Sequence, residues 1–482
     1  MSIPLEFWQR HRLVPLEDHE DRCTVGVAAG TPREILEDIR LALQKDVRPV
    51  KMTPEEIDDR LRRMMVESEG RGLEEEEDAS TDLAVDASQD LLGDAAGAPV
   101  VRLINALFLQ AMQTRASDIH IEPFEDETLV RMRIDGVLHE THRVPRSRHS
   151  QITARLKVMA KLDLAETRRP QDGRLHVHSG DRHLDVRIST VPTLHGERVV
   201  MRLLEKDLKL LTLEQIGMFR DTEEQINGLL SHPYGLMLVT GPTGSGKTTT
   251  LYSVLEKLRS DTCNLITIED PVEYRVPGVG QIQVNEKIGL TFASGLRSIL
   301  RQDPDVLMVG EIRDPETADI AVHAALTGHM VLSTLHTNDA PAAATRLLDL
   351  GVPPYLLSSC LIGVLAQRLV RRLCDHCKQP YELTDDECRR LGLNPTRAGG
   401  KIYGPAGCPQ CLETGYRGRT GAFELMVVDE EMSSRVARSE DSRNLRQLAR
   451  KKGMRTLMED AAGKVIAGQT STEEALRVTR AI

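Results

Sequence analysis

Residues 241–248 read G-P-T-G-S-G-K-T, directly after the apolar run Leu236, Met237, Leu238 and Val239 and just before Thr249, Thr250 and Leu251. A strand, a glycine-rich turn and a helix in that order describe a phosphate-binding loop. The glycines let backbone N–H groups close around an anion, and the start of the following helix adds positive potential. The expected nucleotide contacts are Gly241, Pro242, Thr243, Gly244, Ser245, Gly246, Lys247, Thr248 and Thr249. Lys247 is expected to reach the terminal phosphates of ATP, and the Thr248 hydroxyl to hold Mg²⁺.

Hydrolysis needs two further parts: an acid at a second strand end for magnesium, and a carboxylate that orients water. Residues 306–311 read V-L-M-V-G-E, an apolar strand ending in Glu311, the form of a Walker B element. Glu311 is therefore expected near Mg²⁺. Residues 265–273 read L-I-T-I-E-D-P-V-E, another strand running into three acids. Carboxylates clustered at a strand end repel one another unless a cation is near. Glu273 is the candidate for activating the attacking water, with Glu269 and Asp270 shaping the site; a solvated turn is the alternative. Residues 328–337 place His329 and His336 at the two ends of a buried strand. His336 is the candidate sensor of the γ-phosphate, against a purely structural histidine. Charge building on the transferred phosphoryl group calls for an arginine. Arg187 and Arg202 lie on alternating strands, and Arg297 and Arg301 precede the Walker B strand. The sequence leaves open which of them faces nucleotide.

Cys374 and Cys377, then Cys408 and Cys411, form two C-x-x-C knuckles. Four thiolates suit a tetrahedral structural Zn²⁺ with no open position for catalysis. Cys23, Cys263, Cys360 and Cys388 have no such pairing and read as plain core or surface residues.

Several domains must position these groups. The chain has 482 residues, 3% aromatics and a net charge of −11, so aliphatic side chains build its cores and generic polyanion binding is disfavoured. Residues 1–66 are expected to form a small helical domain, because Thr31, Pro32 and Glu34, then Thr53, Pro54 and Glu56, have the spacing of capped helix starts. Residues 67–97 are acidic and polar and read as a flexible linker. Residues 98–207 mix helical and alternating patterns, with a strand over 129–134 ending at Asp135 and Gly136. Over 211–370, strands and helices alternate as in a parallel sheet covered by helices. The cysteine module spans 371–420, and helical segments 421–482. The run 355–370 reads as a buried helix, with the basic stretch 367–372 as its end. No apolar leader and no run long enough to span a membrane are present in the sequence, so a cytoplasmic location is expected.

Taken together these segments resemble the secretion and pilus-assembly ATPases. The resemblance runs from Val100 to the end: A-S-D-I-H-I-E-P at 116–123, Arg131, Arg133, Asp135 and Gly136 after it, R-P-Q-D-G-R at 169–174 and G-E-R-V-V-M-R at 196–202. The acids of 269–273 resemble the family's aspartate box and residues 328–336 its histidine box. The tetracysteine module points to assembly motors, and the start of the chain (Phe7, His11, Leu13, Pro15) is similar to the type II secretion branch. The resemblance implies an α/β fold: a RecA-like P-loop ATPase domain, preceded by a PAS-like α/β domain and a small N-terminal domain, with a zinc-binding insertion. It implies a homohexamer in which Arg187 and Arg202 reach nucleotide from the N-terminal α/β domain. It also implies docking on an inner-membrane assembly, through the cytoplasmic domain of type II secretion protein L and the platform protein F. The function it implies is an ATP-driven motor for pseudopilus assembly and protein export, with type IV pilus extension as the alternative. A nucleic-acid translocase is the competing class, but no basic, aromatic-laced stretch supports it; a nucleotide-gated scaffold without turnover is the other.

Overall fold

In the computed structural model, the described residues are 99–179, 182–205, 210–393 and 402–479, together with 89–90 and parts of 8–60. The chain divides into two compact units, Met1–Asp207 and Leu208–Ile482.

The first segment is not all helical. Strands β1 (Leu13–Asp18), β2 (Arg22–Val27) and β3 (Asp46–Lys51) form a three-stranded sheet, and the helix Arg33–Leu43 joins β2 to β3. Cys23, Val25 and Val27 alternate into a small core with Leu13, Val14 and Ile39. The strands are six residues each, too short for the sequence's period to show. The second cap is formed as expected: the Thr53 N–H donates to Glu56 Oε2 at 2.9 Å, and the Glu56 N–H donates to Thr53 Oγ1 at 3.3 Å. The acidic stretch lies outside the described residues apart from β4 (Gln89–Asp90).

A seven-stranded sheet follows in the same unit, in the order β4-β8-β9-β10-β5-β6-β7. Its further strands are β5 (Ala116–Pro123), β6 (Glu127–Ile134), β7 (Val137–Pro145), β8 (Gln171–Ser179), β9 (Arg182–Thr193) and β10 (Gly196–Glu205). All neighbours are antiparallel except β4 and β8. The turn between β6 and β7 places Asp135 and Gly136 at φ 48° and 86°, the left-handed pair a tight hairpin requires. Side chains alternate across the sheet. Ile119, Ile121, Val130, Met132, Val186 and Met201 form one core with the helices Pro99–Thr114 and His149–Met159. The opposite face carries the polar partners.

The second unit is built on a seven-stranded sheet, order β13-β12-β14-β15-β11-β16-β19. Its strands are β11 (Gly235–Thr240), β12 (Leu265–Glu269), β13 (Gly280–Gln283), β14 (Val306–Val309), β15 (Met330–Leu335), β16 (Leu361–Leu373) and, beyond the small pair β17 (Gln379–Tyr381) and β18 (Ile402–Gly404), β19 (Tyr416–Val427). Six strands are parallel, and only β19 runs antiparallel, against β16. Alternate residues of one strand feed two separate cores. Leu236 and Leu238 enter one, Met237 and Val239 the other; Leu307 and Val309 are divided from Val306 and Met308 in the same way. Helices Pro315–Leu326 and Ala340–Asp349 cover the first face, and Arg220–Leu230 and Lys247–Leu258 the second. Burial on both faces explains continuous apolar strands without alternation.

It also explains a difference from the sequence reading. Residues 355–370 are not one buried helix: a short helix, Pro354–Cys360, gives way to the thirteen-residue strand β16. The basic run 367–372 therefore lies within a strand rather than at a helix end.

Candidate functional site

Ligands of parallel α/β sheets bind beyond the carboxyl ends of the strands. Lys247, Glu311, Arg313 and His336 gather there in the second unit. The turn after β11 holds Gly241, Gly244 and Gly246 at φ 150°, 77° and 88°, values that side-chain-bearing residues avoid. A Cβ on Gly241 would come within 2.4 Å of the Gln367 carbonyl oxygen, so the loop is pressed against β16. The helix Lys247–Leu258 starts at the end of the turn. Lys247 is buried, and its ammonium donates to the carbonyls of Gly241 at 2.8 Å and Pro242 at 3.2 Å. Burial, with Arg368 adding to it and Glu311 opposing it, brings its pKa down to about 8. The Ser245 hydroxyl is buried without a hydrogen-bond partner. Pro242, Thr243 and Gly244 are exposed, while Thr248 and Thr249 are half-buried. The loop is an anion cradle with its cation buried and one hydroxyl unsatisfied.

Glu311 stands just past β14 and is held from two sides. His336 Nε2 lies 3.2 Å from its Oε2, and the Arg313 guanidinium 2.5 Å from its Oε1. Thr240 Oγ1 bridges the ends of β11 and β15, donating to the Leu335 carbonyl at 3.2 Å. Lys247, Glu311 and His336 are thus brought to one strand edge. Arg313 was missed by sequence reasoning; it lies two residues past Glu311, beyond the end of β14, where no periodic signal marks it.

The acidic cluster separates. Glu269 is buried and fully engaged: Thr267 donates to it at 2.6 Å, Gln281 at 3.2 Å, and the Tyr252 hydroxyl also donates. It organises the interior, and burial with the Glu269 charge pushes Tyr252 well above its ordinary pKa. Asp270 and Glu273 are exposed, separated by a cis peptide at Asp270–Pro271. The Glu273 carboxylate makes no hydrogen bond or ion pair among the described residues. His329 is structural, with Nδ1 at 2.9 Å from the Ala324 carbonyl. Arg297 is paired with Glu316 at 2.6 Å, and Arg301 donates to the Arg297 carbonyl at 2.8 Å.

In the first unit, Arg187 and Arg202 face each other in the β9–β10 register, and Arg174 faces Arg187 across β8–β9. All three line one cavity of about 480 Å³ with Asp172 and Ser189. Arg202 pairs with Asp118 at 3.2 Å, while Arg187 Nε is buried without a partner. Like charges opposite one another in a sheet are unfavourable, so the row is an anion-seeking surface. Arg174 extends the pair named from the sequence.

The four cysteines come together at the end of β16. Cys374 and Cys408 sulfurs are 3.9 Å apart, Cys377 and Cys411 3.7 Å, and Cys408 and Cys411 3.7 Å. All four lie within 4.8 Å of one another. Tetrahedral bonds of about 2.3 Å to zinc set sulfur–sulfur spacings of about 3.8 Å, which this cluster matches. Backbone N–H groups of Cys408 and Gly415 donate to Cys411 Sγ, each at 3.2 Å. Against its burial, these donors hold the Cys411 thiol below its ordinary pKa. The donor set fits a metal.

A phosphate loop on a parallel sheet, with a strand-end acid and histidine beside it, defines a P-loop nucleotide-binding protein, here carrying a tetracysteine module. The Type II/IV secretion system protein family matches residues 94–477, and the MshEN domain matches residues 1–71. The chain belongs to the Type II/IV secretion system protein family. It is 46% identical to "Type II secretion system protein E" of Pectobacterium carotovorum, covering 99% of this chain and 97% of that one. It is 46% identical to "Type II secretion system ATPase E" of Vibrio cholerae, covering 99% and 96%. Among solved structures, it is similar to the pilus retraction motor PilT with bound ADP, with a TM-score of 0.51, 26% identity, and 77% of this chain and 95% of that chain covered. The fold is shared with the ATPase DotB of Legionella pneumophila, with a TM-score of 0.57, 21% identity, and 81% and 98% covered. No helix among the described residues is long and apolar enough to cross a membrane.

Proposed function

We propose that this chain is the ATP-hydrolysing motor of a type II secretion system, driving pseudopilus assembly and thereby protein export across the outer membrane. The observation that carries this reading is the meeting of Lys247 and Glu311 at the strand ends, with His336 and Arg313 bracing the acid. Backbone N–H groups of 241–249 and the Lys247 ammonium bind the phosphates. Thr248 and Glu311 supply oxygen ligands suited to Mg²⁺; the ion would neutralise charge on the bound triphosphate. Glu273 orients the attacking water, and its exposure leaves it free to do so. His336, tied to Glu311, reports whether the terminal phosphate is present. Arg187 and Arg202 offer positive charge to an anion in the cavity of the first unit. The four cysteines hold a structural Zn²⁺ that fixes the end of β16.

The chain works as a homohexamer in the cytoplasm, peripheral to the inner membrane. It docks through its first domain on the cytoplasmic part of protein L and acts on platform protein F. The near full-length similarity to type II secretion proteins supports this reading over type IV pilus extension. The test is a deletion strain scored for both phenotypes. Lost protein secretion with intact pili, restored by the wild-type chain and not by Lys247→Ala, is expected; lost pili with intact secretion would overturn the assignment.

A further inference from the structure

Strand β16 outruns its neighbour. Ala366 pairs with Thr240, the last residue of β11, so Gln367 and Arg368 lie beside the phosphate loop itself. Alternation sends their side chains to opposite faces. Gln367 accepts a hydrogen bond from Thr250 at 2.6 Å on the side of the loop's helix. Arg368 turns to the other side, where its Nη2 donates to Asn338 Oδ1 at 3.0 Å.

Arg368 is only 6% exposed, and its Nε is buried without a partner. A guanidinium has several donors in a fixed fork, and a buried charge normally has a full counter-charge. The acid whose charge acts on it, Asp339, is already engaged: it caps the helix Ala340–Asp349 through the Ala342 N–H at 2.9 Å and pairs with Arg446. The Arg368 charge also reaches Lys247, whose charged form it disfavours, and burial disfavours both cations. Two desolvated cations at the mouth of an anion cradle define a place for negative charge.

We propose that Arg368 is a ligand of the terminal phosphate, supplied by the same chain as the phosphate loop. The proposal rests on the nucleotide-binding role given to that loop. Arg368 reaches the site past Asn338, two residues beyond His336, and His336 is paired with Glu311. This chain of contacts sets it toward the Glu311 side of the loop, where the last phosphate of a bound triphosphate would lie and a diphosphate would end short. A fork of donors there binds the terminal oxygens and neutralises charge as the phosphoryl group leaves.

Binding of ADP and of a slowly hydrolysed ATP analogue, both with Mg²⁺, is to be measured on the full chain and on Arg368→Gln. Loss of one charge-assisted hydrogen-bonding partner predicts a loss of about tenfold to a hundredfold for the ATP analogue. ADP affinity is expected to stay within about threefold. A structural role would weaken both nucleotides together, so equal losses would overturn the proposal, as would no loss. Should Arg368→Gln fail to fold, Arg368→Lys decides by the same ratio, because it keeps the charge but not the fork. If the wild-type chain bound neither nucleotide, the reading of the loop would fall as well, which the unequal-loss result cannot mimic.

Discussion

Nucleotide binding should draw a proton from solvent at pH 8, and the group that takes it up is Lys247. In the free loop its ammonium is buried against two carbonyls and opposed by Arg368, which brings its pKa to about 8. Phosphate oxygens would replace those carbonyls and favour the charged form. A group with that pKa is about half deprotonated at pH 8 and roughly a tenth deprotonated at pH 7. Uptake of about 0.5 proton per nucleotide at pH 8 and about 0.1 at pH 7 follows. The bound state holds more protons than the free state, so affinity is level below pH 8 and falls above it, by up to about tenfold per pH unit. Folding has the opposite sign. The unfolded lysine, at its ordinary 10.5, holds more protons than the folded one between about 8 and 10.5, so the nucleotide-free protein gains stability from this group as pH rises through that window. The assay is calorimetric titration of the full chain with an ATP analogue at pH 8, in two buffers of different ionisation enthalpy. Apparent binding enthalpies should differ in proportion to half a proton, and the difference should persist in His336→Gln, which removes the nearby imidazole. Identical enthalpies in the two buffers, or proton release, would refute the argument.

Other perturbations have equally direct readouts. Cys374→Ser should lose the single zinc equivalent expected in the wild-type chain and lower the melting temperature, because metal binding free energy is folding free energy for such a module; unchanged zinc content would refute the four-sulfur assignment. Gly241→Ala places a methyl 2.4 Å from the Gln367 carbonyl, a backbone atom that cannot step aside, and should cost about 1–3 kcal/mol in denaturant unfolding; wild-type stability with wild-type nucleotide affinity would mean the loop is not pressed on β16. Glu474 is buried, accepts from the Arg371 N–H at 3.0 Å and is braced by the Arg371 and Arg477 side chains. Although burial opposes it, these partners lower its pKa to about 2. Its stabilisation is present above the usual glutamate pKa of 4.5 and lost as pH falls toward 2, so Glu474→Gln should flatten the acid limb of the stability profile; an unchanged limb would contradict the pairing.

The chemistry was legible where it depends on local spacing. The glycines of 241–246, the apolar strand before Glu311 and the paired cysteines each carry their geometry in a few consecutive residues. The sulfur distances and the Glu311–His336 contact follow from strands ending at one sheet edge. What depends on tertiary packing was not legible. Strand β16 is buried along almost all its length, and an apolar run enclosed on both faces has no period to separate strand from helix. Misreading it hid Gln367 and Arg368, whose positions beside the loop come from a register with β11. The three strands near the N-terminus were missed because capped helix starts dominate that stretch. Glu269 looked like a member of an open acidic cluster, yet Tyr252, Thr267 and Gln281 draw it into the interior. No local signal distinguishes a carboxylate with three donors from one in water.

The most direct measurement is phosphate release by the purified full chain, with and without Mg²⁺, for the wild type and Lys247→Ala. Turnover that requires the metal and disappears with the lysine is the predicted result. Release that continues undiminished in Lys247→Ala would place the chemistry outside the loop described here.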